Sequence, residues 1–355
     1  MREKIVLIGA GSAVFTRGLL ADILDRGWEC EMALVDIDPA ALRVAEGLAR
    51  KMIEGRRAHV TLSASTDRCE ALPGATAVIC TIAVGGRRAW EKDVFIPREH
   101  GIYQPVGDTV MPGGTSRALR MIPPMVAIAE DVATHCPDAL FFNYGNPMAA
   151  VCRAVCKATD MRLTGLCHGV FHVAKYLAGV LGADPAALRY TALGMNHLTW
   201  FTEVTVAGKN AMPALRQLAQ AGRQVASFEE APAAYRNDPF TWQLLDLFGA
   251  FPAVLDRHVC EFFPHIFAGK NSYFGKTLGV DAFSFEETIA AGDDGFARMT
   301  EEALSDQPLP ADYFRRSAGE HEQVIDIIQS IRQDDGAIYS VNLPNGGQLP
   351  NVPAG

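Results

Sequence analysis

The sequence predicts an α/β protein, a doubly wound parallel sheet followed by a second lobe of mixed α+β character. Three observations carry that expectation. Short apolar runs of strand length alternate with helical patterns through the amino-terminal half, and a glycine turn joins the first run to the first helix. The 355 residues, 49% hydrophobic and 21% charged, are enough to bury a large core divided between two lobes. The division is expected between residues 1–195 and 196–355.

The first elements follow in order. Lys4 to Ile8 is a strand run, Gly9-Ala10-Gly11-Ser12 a turn, Val14 to Asp25 a helical pattern, Met32 to Val35 a second strand, and Asp36-Ile37-Asp38-Pro39 opens another helix. In a βαβ unit of this kind Gly9 permits the tight turn and Gly11 lets the backbone approach a pyrophosphate. The amino terminus of the helix then offers unpaired N–H groups and the positive end of its dipole. Ser12 adds a hydroxyl at that end. Asp36, closing the second strand, is placed to accept from ribose hydroxyls, and its charge favours NAD over NADP. Val14 stands where the usual third glycine would be, so the strand–turn–helix context and Asp36 carry the Rossmann-like reading.

Further strands are expected at Ala77 to Ile82 and Ala139 to Asn143. A parallel sheet gathers ligand groups at such carboxyl ends, which directs Ala83 and Asn143 towards the cofactor. Asn146 precedes Pro147 at a helix start, where an N-cap and a functional amide are both consistent with the pattern. The glycine-rich stretch Val106 to Thr115 reads as a mobile loop.

Three islands then concentrate chemistry. Cys167-His168 follows a strand that ends at Thr164-Gly165-Leu166, and a cysteine at a helix start has a lowered pKa suited to a metal thiolate or nucleophile. Asn196-His197 lies between a strand end and an apolar run. Asp256-Arg257-His258 offers a base, an anion clamp and a histidine for a metal site, or else an amphipathic element with a helix salt bridge. Cys167 with His197 makes a soft donor pair that leaves positions open for substrate.

The formal net charge of −9 argues against nucleic-acid or anionic-membrane surfaces, which need clustered Lys and Arg. No apolar run is long enough to span a bilayer, and Met1-Arg2-Glu3-Lys4 runs straight into the first strand without a signal-peptide pattern. The eight cysteines are scattered. A reducing cytoplasm is therefore expected.

Taken together, Gly9-x-Gly11-Ser12, Gln104-x-x-Gly107-Asp108-Thr109 with Gly113-Gly114, Asn143-x-x-Asn146-Pro147, Gly165-x-Cys167-His168, Asn196-His197 and Asp256-x-His258-x-x-Glu261-Phe262 resemble glycoside hydrolase family 4. The resemblance covers nearly the whole chain. It implies a lactate/malate dehydrogenase-like sheet topology, bound NAD and a divalent metal, usually Mn2+. It also implies hydrolysis of α-glycosides through hydride removal at C3, proton removal at C2, expulsion of the C1 substituent, addition of water and return of the hydride.

By the resemblance, Cys167 and His197 are metal ligands, and Asn146 contacts substrate. Gly9, Gly11, Ser12 and Asp36 hold NAD, His168 stands at the candidate acid position, and Asp256 is the expected base. Cys-His in place of Cys-Asp or Cys-Asn disfavours phosphorylated sugars, and the motifs resemble most the α-glucosidase and the α-galacturonidase or glucuronidase branches; an α-galacturonide or related uronide is the expected substrate, with Arg257 and His258 as substrate contacts. A homo-oligomer, dimer or tetramer, is expected. Family members continue past the Asn342 to Gly347 region into further sheet and helices, so a chain ending at Gly355 is expected to lack them. The rival readings are a plain NAD-dependent dehydrogenase of a small hydroxy acid or sugar, which needs no metal, and a non-catalytic NAD binder.

Overall fold

A computed structural model describes residues 2–225, 227–267, 284–314 and 323–350. The chain forms two compact units. The first comprises Met1–Gly86, Ala118–His168 and Ile289–Gly355; the second comprises Arg87–Arg117 and Gly169–Thr288. These units divide the chain differently from a single cut after residue 195, because each is assembled from separated stretches. Among the described residues no helix is long and apolar enough to cross a membrane.

In the first unit the strands are β1 (Glu3–Ile8), β2 (Cys30–Val35), β3 (Val60–Ser65), β4 (Ala77–Cys80), β5 (Leu140–Asn143) and β6 (Leu163–Gly165). They pair in the order β3-β2-β1-β4-β5-β6, every pair parallel. The order reverses between β1 and β4, the switch point at which doubly wound sheets bind ligands beyond their carboxyl ends. Helices α1 (Ala13–Asp25), α2 (Pro39–Arg56) and the short α3 (Arg68–Ala71) fall between the first four strands. Next in the chain come α4 (Gly86–Glu99), which belongs to the second unit from Arg87 on, α5 (Met111–His135), which has residues in both units, and α6 (Met148–Ala158), in the first.

Strand residues such as Ile5, Leu7, Val6 and Ile8 are buried on alternate faces of the sheet. Near-continuous apolar runs are what a sheet covered on both sides requires. One core cluster holds Ile5, Leu7, Leu34 and Leu48, and the other holds Val6, Ile8, Val78 and Met125. The α2 start is set by Asp38, whose carboxylate accepts from Ala40 N at 2.8 Å, with Pro39 in the first turn.

The second unit carries α7 (Gly169–Val180) and an antiparallel sheet of β7 (Leu188–Met195), β8 (Leu198–Val206), β9 (Lys209–Asn210) and, later in the chain, β10 (Phe251–Pro252). Helices α8 (Met212–Arg223), α9 (Ala233–Asn237), α10 (Pro239–Phe248) and α11 (Asp256–Val259) complete it up to residue 259. Phe201, Trp242 and Phe251 are fully buried at its centre. Past the undescribed stretch, α12 (Phe285–Leu304) and α13 (Val324–Gln333) follow, and α13 buries Val324, Ile325 and Ile328 in the same cluster as Ile5 and Leu7.

The expected β1–α1–β2 unit is present with its bounds shifted by a residue or two. The strand expected over 77–82 ends at Cys80, and β3 arises from a run, Val60–Ser65, that the sequence reading passed over. The stretch 106–115 is not a free loop. Its last five residues form the first turns of α5, and the Glu261 carboxylate accepts from Val106 N and Gly107 N at 2.8 Å each. The two glycines serve backbone packing. A Cβ at Gly114 would lie 2.2 Å from the Thr109 carbonyl carbon, and one at Gly113 would lie 2.6 Å from Gly107 O.

Gly9 has φ +91°, and a Cβ there would sit 2.8 Å from Ile82 N and 2.9 Å from the Thr81 carbonyl carbon. Gly9→Ala is therefore expected to cost on the order of 1–3 kcal/mol, from backbone strain and from displacement of the β4 end. Denaturant unfolding should show a lowered midpoint with the slope unchanged.

Candidate active site

Each unit gathers its own group of functional side chains. In the first, the carboxyl ends of β1, β2, β5 and β6 bring Gly9, Gly11, Asp36, Asn143, Cys167 and His168 to one edge of the sheet. Gly11 N donates to Asp36 Oδ2 at 2.8 Å, and Asp38 N donates to Asp36 Oδ1 at 2.9 Å. A Cβ at Gly11 would meet that same carboxylate oxygen at 2.7 Å. The bare backbone beside an acid at the β2 end is the cradle a dinucleotide's phosphates and ribose need. Ser12 is the N-cap of α1 by position, without a side-chain cap bond. Ala83 is exposed just after β4.

Asn143 is fully buried, and its side chain is committed to the turn beyond β5. Oδ1 accepts from Gly145 N at 2.8 Å, and Nδ2 donates to Gly145 O at 3.0 Å. Asn143 thus shapes the loop that delivers Asn146, which precedes a cis peptide to Pro147 at the start of α6. Cys167 and His168 are half-buried after β6. The His168 ring lies 6.0 Å from that of Tyr144 and 6.2 Å from that of Phe15.

In the second unit, His197 occupies the turn between β7 and β8 with φ +60°, a left-handed conformation that a histidine tolerates better than most residues. It aims the imidazole at the segment before α5. Asp108, His197 and His258 form a group whose three ligand-capable atoms all lie within 4.8 Å of one another. The His197 and His258 rings are 4.1 Å apart at 34°. Asp108 and His197 are buried and His258 is half-buried. Cys167 belongs to the first unit and His197 to the second; the donor group within the second unit is Asp108, His197 and His258.

Thr109 joins two of these donors. Its Oγ1 lies 2.7 Å from Asp108 Oδ1 and 2.7 Å from His197 Nδ1. Burial alone would raise the Asp108 pKa; the imidazoles of His197 and His258, Arg117 and the Thr109 hydroxyl outweigh it and hold it at about 2. The carboxylate is therefore ionised and can only accept. The single hydroxyl proton goes to Asp108, so the Thr109 oxygen accepts from His197 Nδ1–H. Burial, and then the neighbouring His197, push the His258 pKa well below the ordinary histidine range, so that ring is neutral. An ionised carboxylate and neutral imidazole nitrogen are the protonation states ligation requires, and this mixed O/N set suits Mn2+ and other borderline divalent ions.

Behind this group lies Glu261. It is 2% exposed and accepts from Val106 N, Gly107 N and Gln104 Nε2, the last at 3.2 Å. Gln104 is fixed in turn, donating to Val110 O and accepting from Gly113 N at 3.0 Å each. Burial raises the Glu261 pKa to about 8, with the Asp108 charge adding to the rise against the backbone amides.

Asp256, expected as the base, is fully buried and caps α10. Oδ2 accepts from Phe240 N at 3.0 Å, and Oδ1 accepts from Thr241 N and Thr241 Oγ1 at 2.6 Å each. Burial raises its pKa to about 7. It starts α11, on whose exposed side Arg257 stands. Sequence reasoning placed His197 and His258 among the functional residues, and quoted Asp108, Thr109 and Glu261 within the family motif without giving them a role. The adjacency of Asp108 and Thr109 after an apolar-glycine turn was the available signal.

Two outcomes are expected. Thr109→Val keeps the side chain's shape but removes the shared hydroxyl, and should weaken Mn2+ binding by about 10–100-fold in a calorimetric titration. An unchanged affinity would remove Thr109 from the tautomer argument. Glu261 is an acid whose folded pKa lies above its unfolded value near 4.5. Its stabilising contribution is complete below that value and is lost as pH rises towards and through about 8. The thermal midpoint should accordingly decline between about pH 5 and pH 8, and Glu261→Gln should flatten that decline.

The Family 4 glycosyl hydrolase profile matches residues 4–183, and the Family 4 glycosyl hydrolase C-terminal domain profile matches residues 192–355. The chain is 31% identical to an alpha-galactosidase of Rhizobium meliloti, over 99% of this chain and 71% of that protein. It is 30% identical to an alpha-galacturonidase of Bacillus subtilis, over 99% of this chain and 79% of that protein. Its fold is shared with the 6-phospho-beta glucosidase from Thermotoga maritima, solved with manganese, NAD+ and glucose-6-phosphate. That likeness has a TM-score of 0.74 at 19% identity and covers 99% of this chain and 79% of the other. With both profiles matched along almost its entire length, the chain belongs to family 4 of the glycosyl hydrolases.

Proposed function

We propose that this protein hydrolyses α-glycosides, α-galacturonides foremost, with NAD and a divalent metal, Mn2+ by preference. The observation that carries the reading is the Asp108–Thr109–His197–His258 group in a member of family 4. When bound, NAD supplies a reversible hydride acceptor at C3, and the metal supplies a Lewis acid for the C2 and C3 oxygens. Three donors on one side of an ion leave positions open for two adjacent sugar oxygens.

Gly9, Gly11, Ser12 and Asp36 hold the dinucleotide, with Ala83 and the Asn143 turn bordering it. Asn146 orients the sugar, and His168, ringed by Tyr144 and Phe15, holds a proton for the leaving group. Cys167 is assigned from the family motif as a further metal donor. Asp256 acts by positioning, since fixing the α10 start beside α11 fixes His258, and its committed oxygens are ill suited to removing the C2 proton. The exposed Arg257 guanidinium pairs with the substrate carboxylate, as a planar fork can. The galacturonidase relative supports this substrate, and the galactosidase relative supports the axial C4 configuration the two sugars share. All eight cysteines are free thiols, in keeping with work in a reducing cytoplasm; a homo-oligomer is part of the same proposal.

The test is release of sugar from p-nitrophenyl α-glycosides and oligogalacturonides, with and without NAD+ and Mn2+, while NADH absorbance is followed. Release that needs both additions, with no NADH accumulating, is expected. NADH accumulating in step with substrate loss would instead identify a dehydrogenase. Arg257→Leu should lower kcat/KM for uronides by at least about tenfold, the loss of one charge-assisted pair, and leave neutral glycosides little changed.

A further inference from the structure

A second group of metal-ligating side chains lies in the first unit, at the opposite end of the parallel strands from Gly9 and Asp36. Cys69 is carried by α3, which precedes the amino end of β4, and Asp131 and His135 sit on successive turns of α5 just before the amino end of β5. One ligand atom from each of Cys69, Asp131 and His135 lies within 4.8 Å of the other two. The i, i+4 spacing puts Asp131 and His135 on one face of α5.

The elements bearing these donors are rigid. Ala71 and Leu72, following Cys69, and Val132 and Cys136, interleaved with Asp131 and His135, are buried in one core cluster. Arg68 ties α3 to α5, its Nε 2.6 Å and its Nη2 2.5 Å from Asp131, both on Oδ2. That clamp engages Oδ2 and holds the Asp131 carboxylate in place. Asp67 accepts from Cys69 N at 2.8 Å and fixes the residue that carries the thiol. With Asp67, Glu70 and Asp131 against Arg68, the neighbourhood favours a cation.

We propose that Cys69, Asp131 and His135 form a binding site for a thiophilic divalent ion of the Zn2+ class, separate from the site around His197. Zinc bonds to sulfur, nitrogen and oxygen of about 2.0–2.3 Å set tetrahedral donors ~3.5 Å apart, so the three close in by about an ångström, with water in the fourth position. Binding exchanges the Cys69 thiol proton, released to solvent, for a sulfur–metal bond; no electron is transferred. The thiolate gives the selectivity. Mn2+ prefers oxygen donors, whereas a sulfur–imidazole–carboxylate set is filled by Zn2+, Co2+ or Cd2+. The bound ion would lock the β3–β4 connection to the α5–β5 connection, so its effect is on stability.

The test uses the full chain and Co2+ alone, following the thiolate-to-cobalt charge-transfer band, alongside the rise in thermal midpoint with Zn2+. The band is expected to persist in Cys167→Ser and to vanish when Cys69→Ser is added to that change. His135→Ala, a change on the helix surface, should weaken Zn2+ binding at this site at least about tenfold and reduce the midpoint rise at low Zn2+. A band lost entirely in Cys167→Ser and untouched in Cys69→Ser would overturn the proposal, as would a Zn2+ response unaltered by His135→Ala.

Discussion

The second unit depends on one buried carboxylate. Glu261 receives two backbone amides and the Gln104 amide, and so converts a glycine-rich stretch into a fixed ledge before α5. Asp108 and Thr109 stand on that ledge. Without an acceptor at this point the Val106 and Gly107 N–H groups would be buried and unpaired, at about 1–3 kcal/mol each. The left-handed backbone at His197 and at Met111, the first residue of α5, is held by the same network.

Two carboxylates a few residues' reach apart are thereby driven to opposite protonation states. Burial acts on both, yet Asp108 meets imidazoles and a guanidinium and stays ionised, while Glu261 meets neutral amides and the Asp108 charge and holds its proton at neutral pH. The result is a single negative charge, placed among the donor atoms rather than behind them. Separation of paired acids by environment is the usual way a site divides roles between identical groups.

The nucleotide-binding end was legible in the sequence because its logic is local. Strand, glycine turn, helix and Asp36 all fall within one βαβ stretch, and period and spacing suffice to read them. Asp108 was not legible, because its meaning depends on Thr109 meeting His197 across 88 positions and on Gly107 meeting Glu261 across 154. Asp256 was misleading for the same reason. An acid beside a histidine reads as a base until the chain is seen to return and place the α10 amino terminus on it, an arrangement only 15 residues long but invisible to periodicity. The glycines at 113 and 114 looked like a mobile loop because close backbone packing and freedom select the same residue.

The interleaving of the two units sets an order of events on the ribosome. The six parallel strands have all been made once residue 165 emerges, yet the core cluster against Ile5 and Leu7 also takes in Val324, Ile325 and Ile328. Until α13 is synthesised, that apolar surface lacks the cover of Val324, Ile325 and Ile328, and Gly169–Thr288, the larger part of the second unit, is translated in the meantime. A nascent chain with such an open face is a natural client for holding chaperones, and its yield in a cell should respond to translation speed between the sixth strand and the last described helix.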